Sequence, residues 1–221
     1  MQHPAAVKRI FLKGRLCFMN NIPDVILNLL VFLITAGLLV WLYLKVHKTM
    51  PEKFRQAFRF FTCLSNILCA AACLLTAVFA ASGEIPGWVW LLKFVGTAAV
   101  TLTMMTVFLF MAPSIGKGWA KELLTGQASD FFMHLVNPVL ALVSFCVFEK
   151  RGMTFLQALP GVIPIILYGI LYAYKVLHAP EGKRWNDFYG LARGGKIAVS
   201  LAGLVLGGFL VSMGLMLLQN I

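Results

Sequence analysis

Two stretches of this chain carry side chains able to do chemistry inside otherwise apolar runs. One reads FRFFTCLSNILCAAAC over residues 58–73, the other SDFFMHLVNPVLALVSF over 129–145. The first offers the hydroxyl of Thr62, the thiol of Cys63 and the amide of Asn66. The second offers the imidazole of His134 and the amide of Asn137. His3, His47 and His178 fall in the tail or loops, so His134 is the one histidine within an apolar run. A Thr hydroxyl is a poor nucleophile until an adjacent base takes its proton, and a neutral imidazole suits that task. Asn66 lies one helical turn beyond Thr62, and Asn137 three residues after His134, so either amide can orient the imidazole or donate to a developing oxyanion. Pro138 has no N–H, which frees the carbonyl of His134 from its usual helix bond. Asp187, in a polar loop, is either a third group behind His134 or the cap of a turn. A plainer role stands beside each of these: polar side chains in membrane helices commonly bond a neighbouring helix or a carbonyl one turn back.

The elements that position these residues follow from composition. Hydrophobic residues make up 60% of the chain and charged residues 12%, with a mean hydropathy of +0.86. A soluble domain carries about a quarter charged residues, so lipid must replace water over much of this surface. A span needs about 20 apolar residues, and the 221 residues accommodate six spans and their loops. The reading is an all-α polytopic bundle of six transmembrane helices, placed near 25–44, 57–82, 87–112, 129–148, 154–175 and 195–218. A basic tail, 1–22, precedes the single membrane domain, 23–221. The stretch 113–128 is the least apolar between spans and contains a candidate surface helix at 119–124. Pro160 and Pro164 fall inside the fifth span, where membrane helices tolerate them. Gly203 and Gly207, four residues apart, suggest a close-packed face on the sixth. The first apolar run reads as a retained span rather than a signal peptide.

The formal charge of +11 sits in short loops between apolar runs, which favours an anionic lipid surface over nucleic acid. Twelve of the 19 Lys and Arg belong to the side of loops one, three and five, and seven to the other. The positive-inside rule places those loops in the cytoplasm and both termini outside. Cys17, Cys63, Cys69, Cys73 and Cys146 place no pair in a loop, so no disulfide framework is expected. Cys69 and Cys73 lack a nearby His for zinc. No Asp, Glu, Lys or Arg sits at the centre of a span, which argues against an ion pump or proton-coupled transporter.

Depth connects the two polar stretches. Thr62 and His134 each lie five residues into spans that start on the same face, about 8 Å deep at ~1.5 Å per residue. If those spans are neighbours, hydroxyl and imidazole meet. Adjacent helix residues point about 100° apart, so only one of Thr62 and Cys63 can face His134.

With FFTCLSN early in the second span and MHLVNP early in the fourth, the chain resembles the androgen-inducible and androgen-dependent six-span membrane proteins. It also looks like uncharacterised bacterial members of the same broad group, in which a loop like DFYG at 187–190 precedes the last span. The resemblance implies an intramembrane threonine hydrolase acting on lipid esters, such as fatty acid esters of hydroxy fatty acids. Thr62 and His134 fall on its catalytic pair. It implies membrane lipids and a lipid-ester substrate as partners, a bacterial plasma membrane, and no metal or cofactor. A second histidine of the animal proteins is missing, since Phe131 and Met133 flank His134. Another branch of the group uses a cysteine for acyl transfer, which keeps Cys63 as an alternative nucleophile. The reading outside the resemblance is a non-enzymatic lipid-binding, scaffolding or small-solute transport protein in which Thr62 and His134 form a structural bond.

Overall fold

A computed structural model describes residues 4–47, 51–111 and 128–221. The described residues are all-helical, with no strand. Helix α1, Pro4–Leu42, runs on into a π-helical turn, Tyr43–His47, and the apolar segment Ile22–Lys45 covers parts of both; α2 is the short helix Pro51–Ala57; α3 is Phe61–Ser82. Then follow α4, Gly87–Leu109, and α5, Phe132–Phe148. The last two are α6, Phe155–His178, and α7, Ile197–Asn220. Five of these segments, all but α2 and α5, are long and apolar enough to cross a membrane, whereas α5 is shorter. The chain is thus a multi-pass helical membrane protein. The basic N-terminal segment from Pro4 is continuous with α1, through Pro23. The candidate surface helix at 119–124 and the chain around it lie outside the described residues.

The second span begins later than its apolar run implies. Phe60 is extended, with φ −87° and ψ 135°, and separates α2 from α3. Thr62 is therefore the second residue of α3, at the membrane end of the helix and not five residues into it. Aromatic packing accompanies the break: Phe60 lies against Phe188 and Phe61 against Tyr168, with ring centroids 4.6 and 5.2 Å apart, in one cluster with Tyr189.

Close approach occurs where small residues allow it. A Cβ on Gly96 would lie 2.8 Å from the Cys69 backbone, so α3 and α4 meet almost backbone to backbone. Gly161 fits equally tightly against Ser212 and Phe94, within the 3-10 turn Leu159–Val162 that also carries Pro160. The expected face on the last span differs: Gly203 meets nothing, and Gly208 is the glycine packed on Ile165. Thr154 and Gln157 form a reciprocal capping box that starts α6.

Candidate active site

The membrane end of α3 and the first turns of α5 come together at one polar contact. Thr62 Oγ1 lies 3.2 Å from His134 Nε2. His134 Nδ1 lies 2.9 Å from the backbone carbonyl of Asp130. A carbonyl only accepts, so Nδ1 carries the hydrogen of a neutral imidazole and Nε2 is left with a lone pair. The Thr62 hydroxyl then donates to Nε2. This is the order of roles in a nucleophile–base–orienter triad, with a backbone carbonyl in the third position. Both side chains are half-buried. Cys63, one residue on, is buried, with its side chain turned away from the imidazole contact made by Thr62.

His134 sits within a π-helical turn, Phe132–Val136, in which the Asn137 N–H reaches back five residues to the carbonyl of Phe132. The next donor in that register is Pro138, which has none. Its partner there is the carbonyl of Met133, one residue before the carbonyl of His134 that the Pro138 position singles out. Asn66 fills the vacancy: its amide donates to Met133 O at 3.1 Å and to Thr62 O at 2.9 Å. One side chain thus grips the backbone of the hydroxyl-bearing residue and the backbone beside the imidazole. Ser65 Oγ also donates to Thr62 O at 3.1 Å. Asn137 donates to Asn66 Oδ1 and to Thr35 Oγ1, both at 2.9 Å, tying in α1. Both hydrogens of each amide are engaged in these bonds, which leaves neither free for an oxyanion in this arrangement.

Donors of another kind stand at the end of α3. The first N–H groups of a helix have no partner within it. That of Phe61 donates to Tyr189 Oη at 3.1 Å, and that of Leu64 to Phe60 O. Among the described residues no acceptor is found for the N–H groups of Thr62 and Cys63.

Asp187 serves the turn, not the imidazole. Its Oδ1 accepts from Tyr172 Oη at 2.7 Å and from Leu191 N–H at 2.9 Å, and its Oδ2 from Ala192 N–H at 2.9 Å. Partial burial pushes the carboxyl up, but the bonds from Tyr172, Ala192 and Leu191, with Arg193 nearby, outweigh it and hold the group below the usual carboxylate range. The DFYG loop still belongs to the site, because Tyr189 and Phe188 seat it on Phe60 and Phe61, next to Thr62.

A second polar cluster escapes a reading by span centres. Lys93 and Asp24, placed within Gly87–Leu109 and Ile22–Lys45, are both buried, as are Glu149, Asn28 and Ser144. Lys93 Nζ lies 3.2 Å from Glu149 Oε1. The signal was available in depth: Lys93 is six residues past Gly87, about 9 Å along the helix, too far to count as a loop charge. Its removal leaves six basic residues (7 − 1) on that side of the membrane against twelve on the other. The argument against ion-coupled function from empty span centres does not reach this cluster.

Compared with family models, curated proteins and solved structures, the chain matches none.

Proposed function

We propose that this protein is an intramembrane lipid-ester hydrolase with Thr62 as nucleophile and His134 as base, of the six-span family that its motifs resemble. The observation that carries the reading is the 3.2 Å contact from Thr62 Oγ1 to an imidazole whose other nitrogen is held by the Asp130 carbonyl. His134 Nε2 takes the hydroxyl proton as Oγ1 bonds to the ester carbonyl carbon. The tetrahedral oxyanion meets the free N–H groups of Thr62 and Cys63, a nucleophile's own N–H and its neighbour's being common oxyanion donors. The carbon–oxygen bond to the leaving alcohol then breaks, and the imidazolium returns the proton to that alcohol. Water, deprotonated by the same nitrogen, hydrolyses the acyl-threonine to a free acid and regenerates Thr62. We assign Asn66 and Asn137 to positioning, because their hydrogens already hold the two helices in register.

The sixth crossing in this reading is α5, extended at its start by the helical turn Ala128–Phe131. Thr62 at the end of α3 then lies near the headgroup boundary. An ester linkage reaches it there while acyl chains stay in the bilayer. The membrane is the bacterial plasma membrane in this reading, as in the branch the chain resembles.

The test is hydrolysis of a panel of long-chain esters by purified protein in detergent. Wild type hydrolyses at least one ester, and Thr62→Ala and His134→Ala each lower the rate at least a hundredfold with unchanged thermal unfolding. Full activity in Thr62→Ala with loss in Cys63→Ala moves the nucleophile by one residue. No turnover by wild type on any ester returns the contact to a structural bond.

A further inference from the structure

We infer that the bundle holds one bound proton in a buried site made by Asp24, Ser144, Glu149 and Lys93, on the side of the membrane opposite the Thr62 site. Hydrogen counting is the first ground. The Ser144 hydroxyl has one hydrogen, yet its oxygen lies 2.9 Å from Asp24 Oδ1 and 2.5 Å from Glu149 Oε1. Two bare carboxylate oxygens cannot both be served by that hydrogen, and two lone pairs do not hold oxygens within hydrogen-bonding distance. A second hydrogen must sit on one carboxyl.

Charge is the second ground. Asp24 and Glu149 are 3% exposed and Lys93 is 0% exposed, so all three charges are almost wholly withdrawn from water. Two carboxylates against one ammonium would leave an uncompensated buried charge, which is strongly unfavourable. One proton makes the cluster neutral. The other groups facing it are Asn28 from α1 and Cys69 and Cys73 from α3, with Cys73 Sγ 3.3 Å from Lys93 Nζ; the count holds with both thiols protonated. Of the cations that follow Glu149, Lys150 is exposed, and Arg151 is turned to the carbonyl of Ile85 at 2.7 Å and to the face of Trp90.

Geometry also selects the carrier. Lys93 pairs with Glu149 and makes no contact with Asp24. The proton therefore belongs to Asp24. The Asp24 O–H donates to Ser144 Oγ, the Ser144 O–H donates to Glu149 Oε1, and Lys93 neutralises Glu149. Asn28 and Lys93 brace the chain: Asn28 Nδ2 lies 2.9 Å from both Asp24 Oδ1 and Ser144 Oγ and 3.1 Å from Glu149 Oε1, and Lys93 Nζ donates to Asn28 Oδ1 and lies 3.0 Å from Ser144 Oγ. Release of this proton would put a net negative charge between α1, α4 and α5, so the site links ambient pH to the packing of three helices. It stands independently of the hydrolase reading.

Infrared spectroscopy of the full chain in an ester-free detergent near neutral pH tests this directly. A protonated carboxyl has a C=O stretch separate from amide and carboxylate bands, and it shifts down in heavy water. The wild type shows one such band. Asp24→Asn and Glu149→Gln each abolish it, because a single remaining carboxyl is balanced by Lys93, while Lys93→Met retains or strengthens it. Asp24→Asn keeps an N–H facing Ser144, which preserves the fold. Absence of the band in wild type, or its survival in both carboxyl variants, overturns the inference.

Discussion

At Thr62 and His134 the decisive detail is which ring nitrogen carries hydrogen. The Asp130 carbonyl fixes it, and the prediction at this scale is a pH profile. An imidazolium has no lone pair at Nε2, so kcat/KM falls as pH drops through the titration of His134, with the slope of a single proton. A flat acid limb would show that the imidazole is not the base. The pairing of a hydroxyl and an imidazole was legible in the letters, because both types are scarce within apolar runs and fall at matching places on two spans. The donors proposed for the oxyanion were not. Asn66 and Asn137 are the obvious polar candidates, but the orphaned carbonyl of Met133 commits Asn66, and Asn66 with Thr35 commits Asn137. Backbone N–H groups at a helix end leave no mark in side-chain types.

At the scale of elements, the start of α3 is held by a loop from the far end of the chain. Tyr189 Oη accepts the Phe61 N–H, Tyr168 Oη donates to the Arg59 carbonyl, and Asp187 anchors the loop through Tyr172 and two backbone N–H groups. The Asp187 carboxyl is depressed in the fold, so its contribution is fully present above its ordinary pKa of about 3.9 and is lost as pH falls through the lower folded value. Trp185, packed on Tyr172 and Phe188, reports the loop. Its fluorescence is expected to change on acidification below about pH 4, and Asp187→Asn should remove that transition while leaving the tryptophan environment at neutral pH nearly unchanged. An identical acid transition in the variant would assign it to another carboxylate. The loop motif was visible in the sequence, and capping was one of the two roles open to Asp187. The true start of α3 was hidden, because Phe58, Phe60 and Phe61 carry the apolar run across Arg59 and nothing in the letters marks Phe60 as extended.

For the whole molecule, two polar centres lie at opposite ends of one bundle. Between them sits an apolar layer of Val31, Val100 and Ala141 with Cys69 and Cys73. The layer separates a contact open to chemistry from a buried ionic cluster that ties α1, α4 and α5. Breaking that cluster from one side should be costly. Lys93→Met is expected to lose about 3–5 kcal/mol of stability where Glu149 is left ionised, and less at acidic pH, where a proton replaces the lost ammonium. Lys93→Met with Glu149→Gln should recover part of the loss; additive losses in thermal unfolding would show that the pair is not coupled. Composition made the helical membrane class plain. It hid the cluster, since Asp24 and Glu149 stand near span ends, where charges are ordinarily solvated, and only the fold gathers them with Lys93 around Ser144.

The central claim is that Thr62 is a nucleophile activated by His134. Its most direct test is mass-spectrometric mapping of a fluorophosphonate adduct on the full chain in membranes. The account predicts an adduct on the peptide bearing Thr62 that survives Cys63→Ala and is lost in both Thr62→Ala and His134→Ala. An adduct on Cys63, or labelling of Thr62 that persists without His134, would contradict it.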